Sequence, residues 1–428
     1  MLYRLILLLL LICSYATASW SQSNNSSALK DFTFEREKQK KLRIKFQLIN
    51  NLIIIPVYVN RQKEPLNFVL DTGVGYPIMV HKEAAKNAKL NTQRMRKITI
   101  KGVGTDQTES LDAYHSWGNH IHIKGGVIGN NQDVLFPERD IYHLSENLGM
   151  EIHGLIGYNI FKDFVIDLNY NRKTITLYQH DYFQKKVKRR KKRYQTIPMD
   201  VRNRRAFITA NLSGQPQPLD SLELMIDTGA SNGITLFEDE NENLLASTKA
   251  LRTYLGVGLN GSLYGKLDRR KAFQIGDYTF KNPVINFPDT LAFRGIGEQT
   301  DRKGSVGGEL LRRFKITLDY QNETIYLKKG ADFSDQWLYN LSGLEVKTPI
   351  PGLYFYEIAM VRKGSPAEKA GILAGDQLLS INGVSTLTCS YEKVIELLHQ
   401  QRGKMTVVVQ KANGGLLKVK LRLKDPLQ

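Results

Sequence analysis

At 428 residues, with 42% apolar and 24% charged side chains, the chain has the make-up of an ordinary globular protein long enough for about three domains. Its formal net charge is +18, but much of the excess sits in one run from Lys185 to Arg193. No aromatic stacking pattern accompanies that run, so nucleic acid is not an expected partner, and two cysteines cannot build a disulfide framework.

Residues 1–18 read as an export signal: Arg4, an apolar run from Leu5 to Ile12, then Ala16-Thr17-Ala18 as a small-residue cleavage site. The run is shorter than the ~20 apolar residues that cross a bilayer. The expectation is an exported protein, periplasmic or extracellular, starting near Ser19 and carrying Cys389 as its one thiol. Residues 19–48 read as a polar N-terminal arm.

A first unit, residues 49–182, opens with the strand patterns IIIPVYV and LNFVL, the second running into Asp71-Thr72-Gly73. A short helical pattern follows at Lys82 to Ala88. His120 and His122 share a strand face without further ligands in pattern, so no metal is expected. Residues 183–196, with the basic run, read as an exposed linker able to meet an anionic envelope surface.

The second unit, residues 197–330, repeats the first: AFITANL and LELMI lead to Asp227-Thr228-Gly229. GLIGYNIFKDFVIDLNYNRKTITL, from Gly154, returns without gaps as GSVGGELLRRFKITLDYQNETIYL, from Gly304. Both stretches end in strand, polar turn and strand, which predicts a hairpin in each unit. A brief helical pattern is expected at Asn241 to Leu251. After a linker at 331–346, a separate α+β module covers 347–424. Ser365-Pro366 opens a short helix there, Gly371 stops it, Asn382-Gly383 makes a turn, and a second helix starts after Ser390.

Two carboxyls held about 3 Å apart cannot both ionise, so they share a proton and split acid and base roles between them. Gly73 and Gly229 allow the tight turns such a site needs, and Thr72 and Thr228 supply hydroxyls able to tie the two loops together. The duplicated pattern resembles the aspartic proteases, over roughly residues 50 to 330. The resemblance implies a mainly β fold of two tandem retropepsin-like β-barrel lobes forming one bilobal enzyme. It implies peptide-bond hydrolysis by a water held between Asp71 and Asp227, with no metal, cofactor or covalent intermediate. The apolar-apolar-Gly stretches that complete the loops correspond to Leu155-Ile156-Gly157 and Ser305-Val306-Gly307, Ser305 departing from the pattern. Glycine-rich flaps correspond to Gly102 to Gly104 and Gly256 to Gly258. Val74 and Ala230 stand where pepsin-like enzymes resemble one another in carrying a hydroxyl, which predicts a less acidic pair, active from weakly acid to near-neutral pH.

The C-terminal module resembles a PDZ domain through GSPAEKAGILAGDQLLSINGV and through Gly352-Leu353-Tyr354-Phe355. That resemblance implies that protein C-termini bind as an added strand, their carboxylate cradled by the N–H groups of the Gly352 to Phe355 loop. The expected protein is therefore an exported aspartic endopeptidase acting on polypeptides. The alternative is an inactive protease-fold scaffold whose PDZ domain binds peptides.

Overall fold

In each unit the strand that ends at the Asp-Thr-Gly turn lies between two neighbours. Leu66–Leu70 pairs antiparallel with Leu52–Val59 and parallel with Gly154–Ile156, Leu70 facing Ile156. Leu219–Ile226 pairs antiparallel with Arg205–Ser213 and parallel with Gly304–Val306, Ile226 facing Val306. A short antiparallel strand closes each group: Ile78–Met79 in the first unit and Ile234–Leu236 in the second. Burial on both faces explains why Leu52–Val59 reads as a nearly continuous apolar run instead of alternating. This computed structural model describes residues 30–91, 93–100, 111–138, 140, 143–214, 218–258, 261–289, 302–400 and 403–427.

The two hairpins read from the sequence join into one six-stranded sheet. Val165–Asn169 pairs with Phe314–Asp319 antiparallel, Leu168 facing Ile316, so the repeats share main-chain hydrogen bonds across their boundary. Thr174–Tyr178 and Thr324–Lys329 flank this centre. Lys173 and Glu323, equivalent in the repeat, both take left-handed backbone in the hairpin turns, at φ 48° and 46°.

Four segments differ from the sequence expectation. In the polar arm, Phe32–Phe34 and Lys41–Lys45 are strands of the first unit's sheet and of the shared sheet. Phe32 is fully buried, and its N–H donates to Asp163 Oδ2 at 2.8 Å. Burying one aromatic ring outweighs the polar composition around it. The basic run is no open linker either: most of it belongs to the helix His180–Lys191. Phe183 anchors that helix against Val165 and Tyr326, and Arg190 reaches Asp167 at 3.5 Å. Residues 241–250 are turns and irregular backbone rather than helix, tied by a bridge between Asp239 and Leu244, and Leu251 opens a strand. The 331–346 linker is packed too: Arg313 lies 3.9 Å from the buried Trp337 ring. Leu344–Lys347, placed partly in that linker, is the first strand of the C-terminal sheet.

The remaining strands of that sheet are Glu357–Val361, Gln377–Ile381, Val384–Ser385, Gly403–Gln410 and Leu416–Leu423. Its helices carry the caps their sequences announce. Ser365 Oγ accepts from Glu368 N–H, Pro366 takes the first helical position, and Gly371 leaves at φ 78°. Ser390 Oγ caps Tyr391–Leu398 from Lys393 N–H. Among the described residues, no helix is long and apolar enough to cross a membrane.

Candidate active site

Asp71 and Asp227 leave their strands in the same way. Asp71 N–H donates to Ile156 O and Asp227 N–H to Val306 O, both at 2.9 Å. Gly157 and Gly307 follow those acceptors where no side chain fits: a Cβ on Gly157 would fall 1.9 Å from Asp71 O, and one on Gly307 2.3 Å from Asn232 O. Within each turn the glycine N–H returns to its own carboxylate: Gly73 to Asp71 Oδ1 at 2.7 Å and Gly229 to Asp227 Oδ1 at 3.0 Å.

The two turns meet. Thr72 and Thr228 each donate a backbone N–H to the other's Oγ1 at 3.0 Å. Their hydroxyls continue across, Thr72 to Ile226 O at 2.6 Å and Thr228 to Leu70 O at 2.7 Å. Each carboxyl consequently lies over the opposite turn. A Cβ on Gly229 would fall 2.3 Å from Asp71 Oδ2, and one on Gly73 would come 3.5 Å from Asp227 Oδ1.

A second pair of contacts, invisible in the motifs, braces this arrangement. Asn50-Asn51 and Asn203-Arg204 form equivalent hairpin tips, all four residues at positive φ. Asn51 Nδ2 donates to Ser231 O at 2.9 Å, and Arg204 Nη1 to Gly75 O at 3.2 Å. Each tip thus holds the carbonyl four residues past the other unit's aspartate. The sequence signal was a doubled Asn-x turn before each unit's first strand, a spacing shared with any tight hairpin. Arg205 Nε adds a bond to Gly73 O at 3.1 Å.

Burial pushes the Asp71 carboxyl up to about 7, with Asp227 adding to the rise and Gly73 N–H and Arg205 opposing it. Burial also raises Asp227, against the pull of Arg302, the Gly229 and Ala230 N–H groups and Arg205. More cationic and N–H support reaches Asp227, so it is the member better suited to carry the charge.

Both carboxyls open into a cavity of 1390 Å³. The hairpin of Leu251–Gly258 and Gly261–Arg269 contributes Tyr254, Gly256 and Val257 to its lining, Gly256 standing at φ 138° beside a bulge. Gly258 ends the first strand of that hairpin, while Gly102 and Gly104 lie outside the described residues. His120 bonds Asn130 at 3.0 Å and His122 stacks on Tyr58, so both serve the sheet surface.

The same cavity reaches the C-terminal module, where Glu345, Val346, Tyr391 and Ile395 line it. Leu344–Lys347 is the edge strand here, and Tyr391 Oη donates to Val346 O at 3.3 Å. The expected peptide-binding loop follows this strand. Gly352, Leu353, Tyr354 and Phe355 form the turn after the edge strand, with Leu353 and Tyr354 exposed and Gly352 N–H bonded to Gly149 O at 3.1 Å. Strand addition needs free N–H groups at the head of the edge strand, which is Ser342 to Leu344. In the free chain those groups make local bonds: Ser342 and Gly343 N–H donate to Asn340 Oδ1, and Leu344 N–H to Ser342 Oγ. The edge's far end is held as well, by Thr348 N–H on Glu146 O at 2.8 Å.

Comparison with known proteins assigns the module. Residues 357–411 match the family described as PDZ domain, and this part of the chain is one. Among curated proteins, the Na(+)/H(+) exchange regulatory cofactor NHE-RF1 of Gallus gallus is 35% identical over 83 residues, 19% of this chain. The match spans 22% of that protein's length. A PDZ domain is a module for binding peptide or protein partners.

Proposed function

We propose that residues 49–330 are an aspartic-type endopeptidase and that the PDZ domain brings polypeptide partners to it. One observation carries this reading: the Thr72–Thr228 exchange sets two buried carboxyls from equivalent turns over each other's glycines, at the floor of one cleft. A pair that shares a proton at such a place suits general acid–base hydrolysis.

Asp227, better stabilised as an anion, would take a proton from water, and Asp71 would give its proton to the peptide carbonyl oxygen as the water oxygen bonds to carbon. The tetrahedral intermediate would then collapse, its nitrogen leaving as an amine with the proton held at Asp227 while one hydroxyl of the intermediate returns its proton to Asp71, which leaves a carboxylic acid and the pair as it began. The Tyr254 hairpin is the candidate flap over the substrate. Export rests on the N-terminal signal pattern, and the exposed lysines of the His180–Lys191 helix suit contact with an anionic surface.

The test is digestion of unfolded casein by the protein beginning near Ser19, from pH 3 to 8, with and without pepstatin. Cleavage that pepstatin blocks and Asp71→Asn abolishes supports the enzyme; no cleavage across the range favours the inactive scaffold.

A further inference from the structure

The two units build the walls of the cleft from equivalent strands but with different side chains. In the first, Ile78 pairs with Leu135 and both line the cavity. In the second, the equivalent pair is Thr235 and Asn286, and Ser305 lies opposite Thr235; all three line the cavity. At these equivalent places the first wall is apolar and the second polar. Ser305, the departure from the apolar-apolar-Gly pattern, belongs to this polar wall.

Arg302 stands beside it. Its guanidinium lies 5.4 Å from the Phe237 ring, and among the described residues its Nη1 meets only the Met225 thioether, at 2.8 Å. A thioether is a weak acceptor. Arg302 Nε is buried without a hydrogen-bond partner among the described residues. Arg205, whose Nε bonds Gly73 O, adds a second cation to the lining. Among the described residues, no carboxylate comes within ion-pair distance of either arginine. Arg202, Arg252 and Arg312 in the same unit all have one. A partly buried cation left with a thioether and an open Nε is costly unless something else completes it. A planar carboxylate suits the guanidinium fork best.

We propose that Arg302, with Ser305, Thr235 and Asn286 around it and Arg205 nearby, is a subsite for an acidic side chain of the bound polypeptide, on the Asp227 side of the cleft. The proposal rests on the reading of the cleft as a peptide-binding active site. It makes the protein selective for chains with glutamate or aspartate near the bond to be cut.

The test uses paired peptides in which a hydroxyethylene group replaces the scissile bond, with glutamate or glutamine scanned through the flanking positions. Binding is measured by calorimetry at pH 6. At one position glutamate should bind at least ~10-fold more tightly than glutamine, the scale of a hydrogen-bonded charge. Arg302→Met should bring that ratio to about one, and Arg302→Lys should restore part of it. Equal affinities at every position, or a ratio that survives Arg302→Met, would overturn the subsite alone. No binding of any peptide would overturn the reading of the cleft, and the subsite with it.

Discussion

Thr72 and Thr228 hold each other's main chain: each accepts the other's N–H on its hydroxyl oxygen at 3.0 Å, and both hydroxyls go on to donate across the boundary. Four hydrogen bonds therefore meet where the two units touch. Thr72→Val keeps the shape but strips Thr228 N–H and Ile226 O of their partners in a fully buried place. Each unsatisfied group costs about 1–3 kcal/mol. The expected result is a lower urea midpoint and at least a tenfold loss of casein cleavage, with Thr72→Ser recovering most of both. An unchanged midpoint for Thr72→Val would contradict the structural role of the exchange.

The Asp71 carboxyl sits near 7 in the fold against 3.8 as an ordinary aspartate. Between those values the folded chain holds a proton that the unfolded chain has released, so this group's contribution to stability falls as pH rises through that window. Thermal midpoints should decline from pH 4 to pH 8, and Asp71→Asn should flatten the decline. The same proton is the one shared in the proposed reaction. Cleavage should therefore be best at weakly acid pH and fall above about 7.

Gly229 has no room for a methyl group, since its Cβ would lie 2.3 Å from Asp71 Oδ2. Gly229→Ala should push Asp71 out of place and reduce cleavage more than a hundredfold. Gly229 lies at no strained φ, so the chain should still fold, as circular dichroism would show. Wild-type turnover by this variant is the result that would separate the two carboxyls.

Phe183 fixes the basic helix to the shared sheet, 5.8 Å from the Tyr326 ring. Removing a buried aromatic ring costs about 3–5 kcal/mol. Phe183→Ala should lower the thermal midpoint and open residues 185–193 to trypsin. Arg189→Ser, on the exposed side of the helix, should change neither.

Much of the mainly β fold was legible because strand alternation and turn residues are local signals. The hairpins at 165–178 and 314–329 and the Ser365 and Ser390 caps each sit within a few residues of what forms them. Misread segments depended on distant partners. Phe32 needed Gly129 and Asp163 to make the polar arm a strand, and Phe183 needed Val165 and Tyr326 to turn a charge run into a packed helix. Gly352 to Phe355 matched a loop motif as a string, but which strand forms an edge follows from sheet order, not from the loop.

By itself the sequence determined that the chain carries two copies of one β unit, each presenting an Asp-Thr-Gly turn, followed by a PDZ domain. Repetition and capping are written in neighbouring residues. Only the tertiary structure decided that the two turns interlock, that Asn51 and Arg204 brace them from opposite units, and that Arg302 stands near enough to Asp227 to favour its charge. Those relationships join residues more than 70 positions apart, and no local pattern encodes which distant groups a closed cleft will bring together.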